Sequence, residues 1–316
     1  MTKISIIIPV YYNENTLLPL YDDLKNKVLD SIDDDYEIIF VDDGSEDGSF
    51  GQILKLASGD SRVRYLKLAR NFGSHAAILA GMAQSTGSCA AIKMADMQEP
   101  SELILDMFEC WKQGNSVVLA LREERQETGA KRFFADSYYS MIRRFAMPDM
   151  PKGGFDCCLI DRKVIDVLTA MDETNSAITG QILWCGFKRD VVYYKRLERP
   201  ADESRWTLKK RLKLVLDSIY SFSSLPITLL TTVGAIFAVI AFFMGVYFLV
   251  ERLMGATGVP GWTSLMLVLL LSTGLILMGL GIIGEYIWRI FDTSRKRPPY
   301  IIDEKSSFPD DVAGRV

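Results

Sequence analysis

A single histidine in 316 residues argues against a zinc site, which draws on histidine and cysteine together. The five cysteines (Cys89, Cys110, Cys157, Cys158 and Cys185) are odd in number and show no C-x-x-C spacing. They are expected as reduced thiols packed as small hydrophobes, not as a disulfide framework. Neither a G-x-G-x-x-G nor a G-x-x-x-x-G-K-[ST] phosphate loop occurs, so any bound diphosphate needs another counter-charge. No signal peptide is expected from the first residues. The apolar run Ile4 to Val10 is short, has no small-residue cleavage site and passes directly into "YYNEN", so it reads as a strand. The net charge of −4 says little, because the acids and bases concentrate in different parts of the chain. No nucleic-acid partner is expected.

What is present is uneven hydropathy. With 49% apolar residues and a positive mean hydropathy, the chain is too apolar for an ordinary soluble enzyme and too charged for a bundle of membrane helices. The apolar excess is local. Ile227 to Val250 has no charged residue, and after Glu251 and Arg252 a second uncharged run extends from Leu253 to Gly284. Each is long enough to cross a hydrocarbon core of roughly 30 Å, which takes about 20 helical residues. Lys209, Lys210, Arg211 and Lys213 precede the first run, and Arg289, Arg295, Lys296 and Arg297 follow the second. The positive-inside rule then places both termini in the cytoplasm and the loop around Gly255 to Gly261 outside. Just before the first run, Leu208, Leu212, Val215, Ile219 and Phe222 recur at helical spacing, with Lys209, Lys210 and Lys213 on other faces. That pattern predicts a basic amphipathic helix lying in the lipid bilayer interface.

Upstream, the β-rich runs "ISIIIPVY", "YEIIFVDD", "VRYLKLA", "SCAAIKMAD" and "SVVLALRE" alternate with helical patterns such as "PSELILDMFECWKQG". Such alternation predicts an α/β domain with a parallel sheet covered by helices. Ligands of such sheets bind beyond the C-terminal strand ends. Polar clusters fall there: "PVYYNE", "DDGSEDGS", "ARNFG" and "ADMQEP". Their chemistry suits a nucleotide sugar. Asp42 or Asp43 is placed to accept imide or amide hydrogens of a base, while Arg70 and Asn71 can reach phosphate or ribose. A divalent cation on a carboxylate would supply the missing counter-charge.

"SIIIPVYYNEN", "FVDDGSEDGS", "LARNFGSHAAILAG", "ADMQEP" and the closing pair of spans resemble the family 2 glycosyltransferases of the polyprenyl-phosphate (bactoprenol) type. The resemblance covers nearly the whole chain. It implies a GT-A, Rossmann-like nucleotide-diphospho-sugar domain over residues 1–205, the interfacial helix over 206–225, a transmembrane hairpin over 226–288 and a cytoplasmic tail over 289–316. It further implies a nucleotide-sugar donor (a UDP-hexose such as UDP-glucose), Mg2+ or Mn2+, an undecaprenyl-phosphate acceptor, a homo-oligomer and a place in the bacterial inner membrane. Donor contacts are expected from Pro9, Tyr11, Asn13, Glu14, Asp42, Asp43, Arg70, Asn71, Ala95 and Gln98. Acceptor contacts are expected from Arg196, Arg199, Arg205 and Lys209.

Two departures stand out. The family's usual turn resembles D-A-D-L-Q-D-P, whereas this chain reads Met94-Ala95-Asp96-Met97-Gln98-Glu99-Pro100, so Asp96 is the expected metal ligand and catalytic acid of the turn. Asp96 also suits a helix N-cap before the following helix. Lys93 is expected either to face phosphate or to lie on the surface. In "GGFDCCLIDRKV", similar to the family's G-D-F-R-L-x-x-R-K, Asp156 matches the acid assigned as catalytic base, with the following arginine replaced. A phosphate monoester is already largely a dianion at neutral pH, so Asp156 is expected to orient more than to deprotonate. His75 reads as a packed or surface residue. Two further readings stay open: a processive polysaccharide synthase, and an impaired membrane-anchored nucleotide-sugar-binding protein, suggested by Met94. Gln181-Ile182-Leu183-Trp184 lacks the arginine of the synthase motif QxxRW.

Overall fold

The computed structural model of the chain describes residues 2–32, 34–123, 140, 143–144, 147–171, 177–197, 225–254 and 261–308. Eight strands form one sheet: β1 (Lys3–Val10), β2 (Asp35–Asp42), β3 (Val63–Leu68), β4 (Cys89–Ile92), β5 (Val117–Arg122), β6 (Cys157–Asp161), β7 (Arg189–Tyr194) and β8 (Ile302–Lys305). Their spatial order is β7-β5-β6-β4-β1-β2-β3-β8. The helices packed on it are α1 (Leu17–Lys27), α2 (Ser49–Gly59), α3 (Ser74–Gln84), α4 (Leu103–Lys112), α5 (Arg162–Thr169) and α6 (Ile178–Trp184).

Both faces of the sheet are covered, and the strands show it by strict alternation. Ile4, Ile6 and Ile8 of β1 join one apolar layer with Ile38 and Phe40 of β2, while Ile7, Ile39 and Val41 join the other. All eight side chains are fully buried, each contributing about 1.5–3 kcal/mol relative to exposure. With both faces dry, the strands carry no polar stripe, which is why they read as continuous β-branched runs.

The sheet is mixed, which corrects the expectation of a parallel one. β1 pairs parallel with β2 and β4, and β2 with β3. β6 inserts antiparallel between β4 and β5, and β8 runs antiparallel along β3. The insertion of β6 reverses its ends relative to β4, so the start of β6 lies beside the C-terminal end of β4. The β8 pairing also shows that the segment expected as a tail supplies an edge strand to the sheet.

Two long helices precede β8 in the chain, α7 (Leu225–Leu253) and α8 (Trp262–Ser294). Each contains a stretch long and apolar enough to cross a membrane, Pro226–Tyr247 and Leu271–Ser294. Pro226 sits in the first turn of α7, where its missing N–H costs nothing. Apolar side chains such as Phe242, Phe243, Leu277 and Ile287 are exposed along both helices, as expected of surfaces that face lipid instead of water. Leu230 of α7 packs over Gly279 of α8, where a β-carbon would lie 3.4 Å from both Leu230 Cδ atoms. The predicted amphipathic helix and the loop 255–260 lie outside the described residues.

Candidate active site

Because β1 to β5 and β7 all point the same way and β6 points back, the site collects the C-terminal ends of the former and the N-terminal end of β6. Reading along the rim from β3 to β7 gives Arg70 and Asn71, then Asp42 and Asp43, then Tyr11 to Glu14, then Asp96 to Glu99, then Asp156, Arg122, Tyr194 and Arg196. The structure therefore brings together the described donor residues and both predicted acids. Arg199, Arg205 and Lys209 lie outside the described residues.

The β1–β3 half of the rim is held by backbone groups. Asp43 is buried at the end of β2 and accepts from Phe72 N at 2.7 Å and Gly73 N at 2.9 Å, so it braces the "RNFG" turn. Asp42, fully buried, accepts from Ser45 N at 3.3 Å. Burial raises the carboxyl pKa of both, with their hydrogen bonds acting the other way. Between them and the turn, Gly44 has φ of +71°, and a β-carbon there would lie 2.6 Å from Arg70 C, so only glycine lets the two loops close up. After β1, Asn13 N donates to Ser49 Oγ at 2.8 Å, Tyr12 N to Ser45 Oγ at 3.0 Å, and Glu14 Oε2 accepts from Gly48 N at 3.1 Å. Arg70 and Asn71 remain exposed, with the Arg70 guanidinium stacked 4.1 Å over the Phe72 ring.

The turn after β4 is held differently. Lys93 is neither phosphate-facing nor on the surface: it is fully buried, and its ammonium bonds the Glu99 carbonyl and lies 3.4 Å from the Glu99 carboxylate. Burial raises the Glu99 pKa, opposed by the Lys93 charge. This internal strut ties the two ends of the turn together. Ala95 is buried beneath it, Asp96 is half-buried at its crest, and Met97 takes φ of +56°, a conformation costly for a side-chain-bearing residue. Asp96 Oδ1 accepts from Gln98 N at 3.3 Å. Helix α4 starts beyond Glu102, so Asp96 is not its N-cap.

The next strand ends supply what the sequence motifs did not announce. Ile92 of β4 pairs with Cys158, and continuing that register puts Asp156 alongside Met94. Asp156 is half-exposed, and Arg122, from the end of β5, donates to its Oδ2 at 2.5 Å. Arg122 Nε also reaches Tyr194 OH at 3.3 Å, and burial pushes that phenol up to about 12. An arginine distant in sequence thus stands beside Asp156, although the motif's own arginine is replaced. Cys157 and Cys158, in its place, are buried, and burial raises both thiols, Cys158 to about 12, so neither is a nucleophile at neutral pH. Past β7, the Arg196 guanidinium bonds the Gln98 side chain, and Leu197 N donates to Gln98 O at 2.9 Å. The basic segment therefore passes over the Asp96 turn. His75, in the first turn of α3, is half-buried with a lowered pKa caused by burial and opposed by Asp156, and its Nδ1 has no hydrogen-bond partner among the described residues.

A divalent cation fits this arrangement. Among the described residues no group of three or more His, Cys, Asp or Glu side chains forms a metal cage. Magnesium and manganese do not need one, since one or two carboxylates suffice when phosphate oxygens and water complete the shell. Asp96, at the crest of the turn with Gln98 beside it, is the carboxylate that would hold the cation.

The profile of glycosyl transferase family 2 matches residues 5–169, the stretch from β1 through α5. Over 301 residues, 95% of this chain, the sequence is 39% identical to a glycosyltransferase of Bacillus subtilis (strain 168), YkcC, covering 93% of that protein. It is 34% identical over the same length to the bactoprenol glucosyl transferase of Shigella phage SfV, and 33% identical to the prophage bactoprenol glucosyl transferase homolog of Escherichia coli (strain K12), covering 98% of each. Staphylococcus aureus TarS 1-349 in complex with UDP-GlcNAc superposes with a TM-score of 0.44 at 16% identity, over 70% of this chain and 73% of that one. A mixed α/β sheet with acids and basic residues gathered at one end, a family profile spanning that domain and relatives matched almost end to end lead to one conclusion: the chain belongs to glycosyl transferase family 2 and is a glycosyltransferase.

Proposed function

We propose that this enzyme transfers a hexose from a UDP-sugar to a polyprenyl phosphate at the cytoplasmic face of the bacterial inner membrane. The observation that carries the reading is the pairing of Arg122 with Asp156 beside the β4 turn that carries Asp96, in a chain that also holds two membrane-length helices. A guanidinium that already holds a carboxylate is suited to hold a phosphate monoester as well, because its fork presents five donors. The acceptor needs little deprotonation, so Asp156 orients it and keeps Arg122 in place.

The family generally uses a divalent metal, and when bound at Asp96 it supplies the counter-charge for the departing diphosphate. The chain's own residues do the rest. Asp42 and the Ser45 turn take the base end, the Asp43-braced loop presents Arg70 and Asn71 to ribose or phosphate, and the Lys93–Glu99 strut holds Asp96 at the diphosphate. With Asp156 engaged by Arg122 and the nearby thiols protonated, the described residues at the rim offer no free nucleophile for the anomeric carbon. The reaction is then a single displacement: the acceptor phosphate oxygen bonds the anomeric carbon as its bond to the diphosphate oxygen breaks, giving an inverted glycosyl phosphate and a nucleoside diphosphate. Names borne by the relatives support a bactoprenol acceptor. An even number of spans between the catalytic domain and β8 supports keeping both on one side of the membrane, as their pairing in one sheet requires. Basic flanks at both spans support the cytoplasmic side.

Purified enzyme in undecaprenyl-phosphate vesicles, supplied in turn with UDP- and GDP-hexoses, is expected to form a lipid product whose mass equals acceptor plus one hexosyl residue. Donor turnover that is independent of lipid phosphate would overturn the acceptor assignment.

A further inference from the structure

The strand at the far end of the chain is attached where the donor rim is built. β8 pairs with β3 from Leu66↔Lys305 to Leu68↔Ile302, and the pairing is extended at both ends. Ala69 N donates to Ile301 O at 2.9 Å, immediately before Arg70 and Asn71, and Ser306 N donates to Tyr65 O at 3.0 Å, with Tyr65 N returning to Ser306 Oγ at 3.0 Å. Phe308 is buried in the apolar layer beneath, with the Arg64 guanidinium 5.2 Å from its ring. Tyr300 and Ile302 pack on the same layer as Phe72 of the "RNFG" turn.

On its other side, β8 is joined to α8 by a short stiff connector. The helix ends at Ser294, Lys296 turns the chain with φ of +48°, and Arg297-Pro298-Pro299 leads to Tyr300. From Ser294 to Ile301 the chain spans at most about 25 Å, and adjacent prolines hold part of it extended. The donor rim is therefore leashed to the end of a membrane-length helix through strand pairing that a surface tail would not make.

We infer that Tyr300 to Phe308 is a tether by which the second long helix fixes the height and tilt of the catalytic sheet over the bilayer, so that a lipid-borne phosphate meets the site at the right depth. The inference rests on the membrane-acceptor reading above. An acceptor anchored in lipid arrives at a fixed height, so a domain free to swing spends less time in register with it. A soluble acceptor arrives from any direction and is indifferent to the tether. The segment thus acts on lipid-borne substrate through position and leaves the chemistry untouched.

The test inserts about 15 Gly and Ser residues between Pro298 and Pro299 in the full-length enzyme, leaving β8 and its pairing intact. In vesicles, kcat/KM for undecaprenyl phosphate is expected to fall about tenfold, while the KM for donor, the thermal unfolding temperature and turnover of a short, water-soluble prenyl phosphate stay unchanged. Equal loss with both acceptors, or no loss with the lipid acceptor, overturns the tether. A second readout needs no turnover: a dye at Gly51→Cys, with Cys110 and Cys185 replaced by serine, reports the domain's motion on vesicles. Its anisotropy is expected to drop on insertion of the linker, and an unchanged anisotropy also overturns the inference. If the unmodified enzyme uses neither acceptor, the functional reading fails, and the anisotropy alone decides the tether.

Discussion

The two halves of the active-site rim are built by different means. From β1 to β3, the carboxylates of Asp43, Asp42 and Glu14 are engaged by backbone N–H groups of nearby loops. From β4 to β7, side chains hold one another as charged or polar pairs: Lys93 with Glu99, Arg122 with Asp156, Arg196 with Gln98. A backbone-braced half fixes loop shape and tolerates changes in the side chains it displays. A side-chain-braced half is sensitive at each partner, because truncating one member leaves the other buried or unpaired. On the proposed function, the first half would present a shape to the nucleotide, and the second would balance charge where diphosphate leaves and phosphate attacks.

Replacements in the second half should therefore cost most. Asp96→Asn is expected to lower metal-dependent transfer on the order of 10³-fold, about 4 kcal/mol of transition-state stabilisation, with folding and membrane insertion intact. Steady-state rates across a Mg2+ or Mn2+ titration check this, and near-normal turnover would remove Asp96 from the metal role. Lys93→Met leaves Glu99 buried without its partner and is expected to cost about 3 kcal/mol of stability. Denaturant unfolding measures it, and pairing the change with Glu99→Leu should recover most of the loss. Arg122→Lys keeps a charge but loses the fork that spans Asp156 and Tyr194, for an expected loss of about tenfold in kcat/KM toward the lipid acceptor. The donor KM should stay fixed, so a shift in that constant instead would move Arg122 to the other half of the rim. The smallest effect belongs to Met94→Asp. It is expected to alter the donor KM by about threefold and turnover less, since the new acid would lie beside the Arg122–Asp156 pair.

The same contrast explains what the sequence made legible. The backbone-braced clusters are local: "DDGS" and "RNFG" carry their glycines and acids within a few residues of the strand that presents them, so period-two apolar runs ending in polar turns were enough to place Asp42, Asp43 and Arg70. The paired half depends on contacts far apart in sequence, 34 residues for Arg122 with Asp156 and 98 for Arg196 with Gln98. No short motif encodes them. Lys93 was legible as a residue but not in its role, because a lysine before a turn usually points to solvent and only the buried Glu99 turns it inward. β6 and β8 were missed for topological reasons: a strand running antiparallel into an otherwise parallel order, and one arriving after two membrane-length helices, have no signature in local alternation.

Beneath these comparisons lies one claim, that the paired half guides a lipid phosphate in direct displacement on a metal-bound nucleotide sugar. The anomeric configuration of the product tests it most directly. With an α-linked gluco-type donor and undecaprenyl phosphate, proton NMR of the purified lipid product should show a β-linked sugar monophosphate with release of nucleoside diphosphate. An α linkage would require a covalent intermediate or a retaining path and would contradict the account.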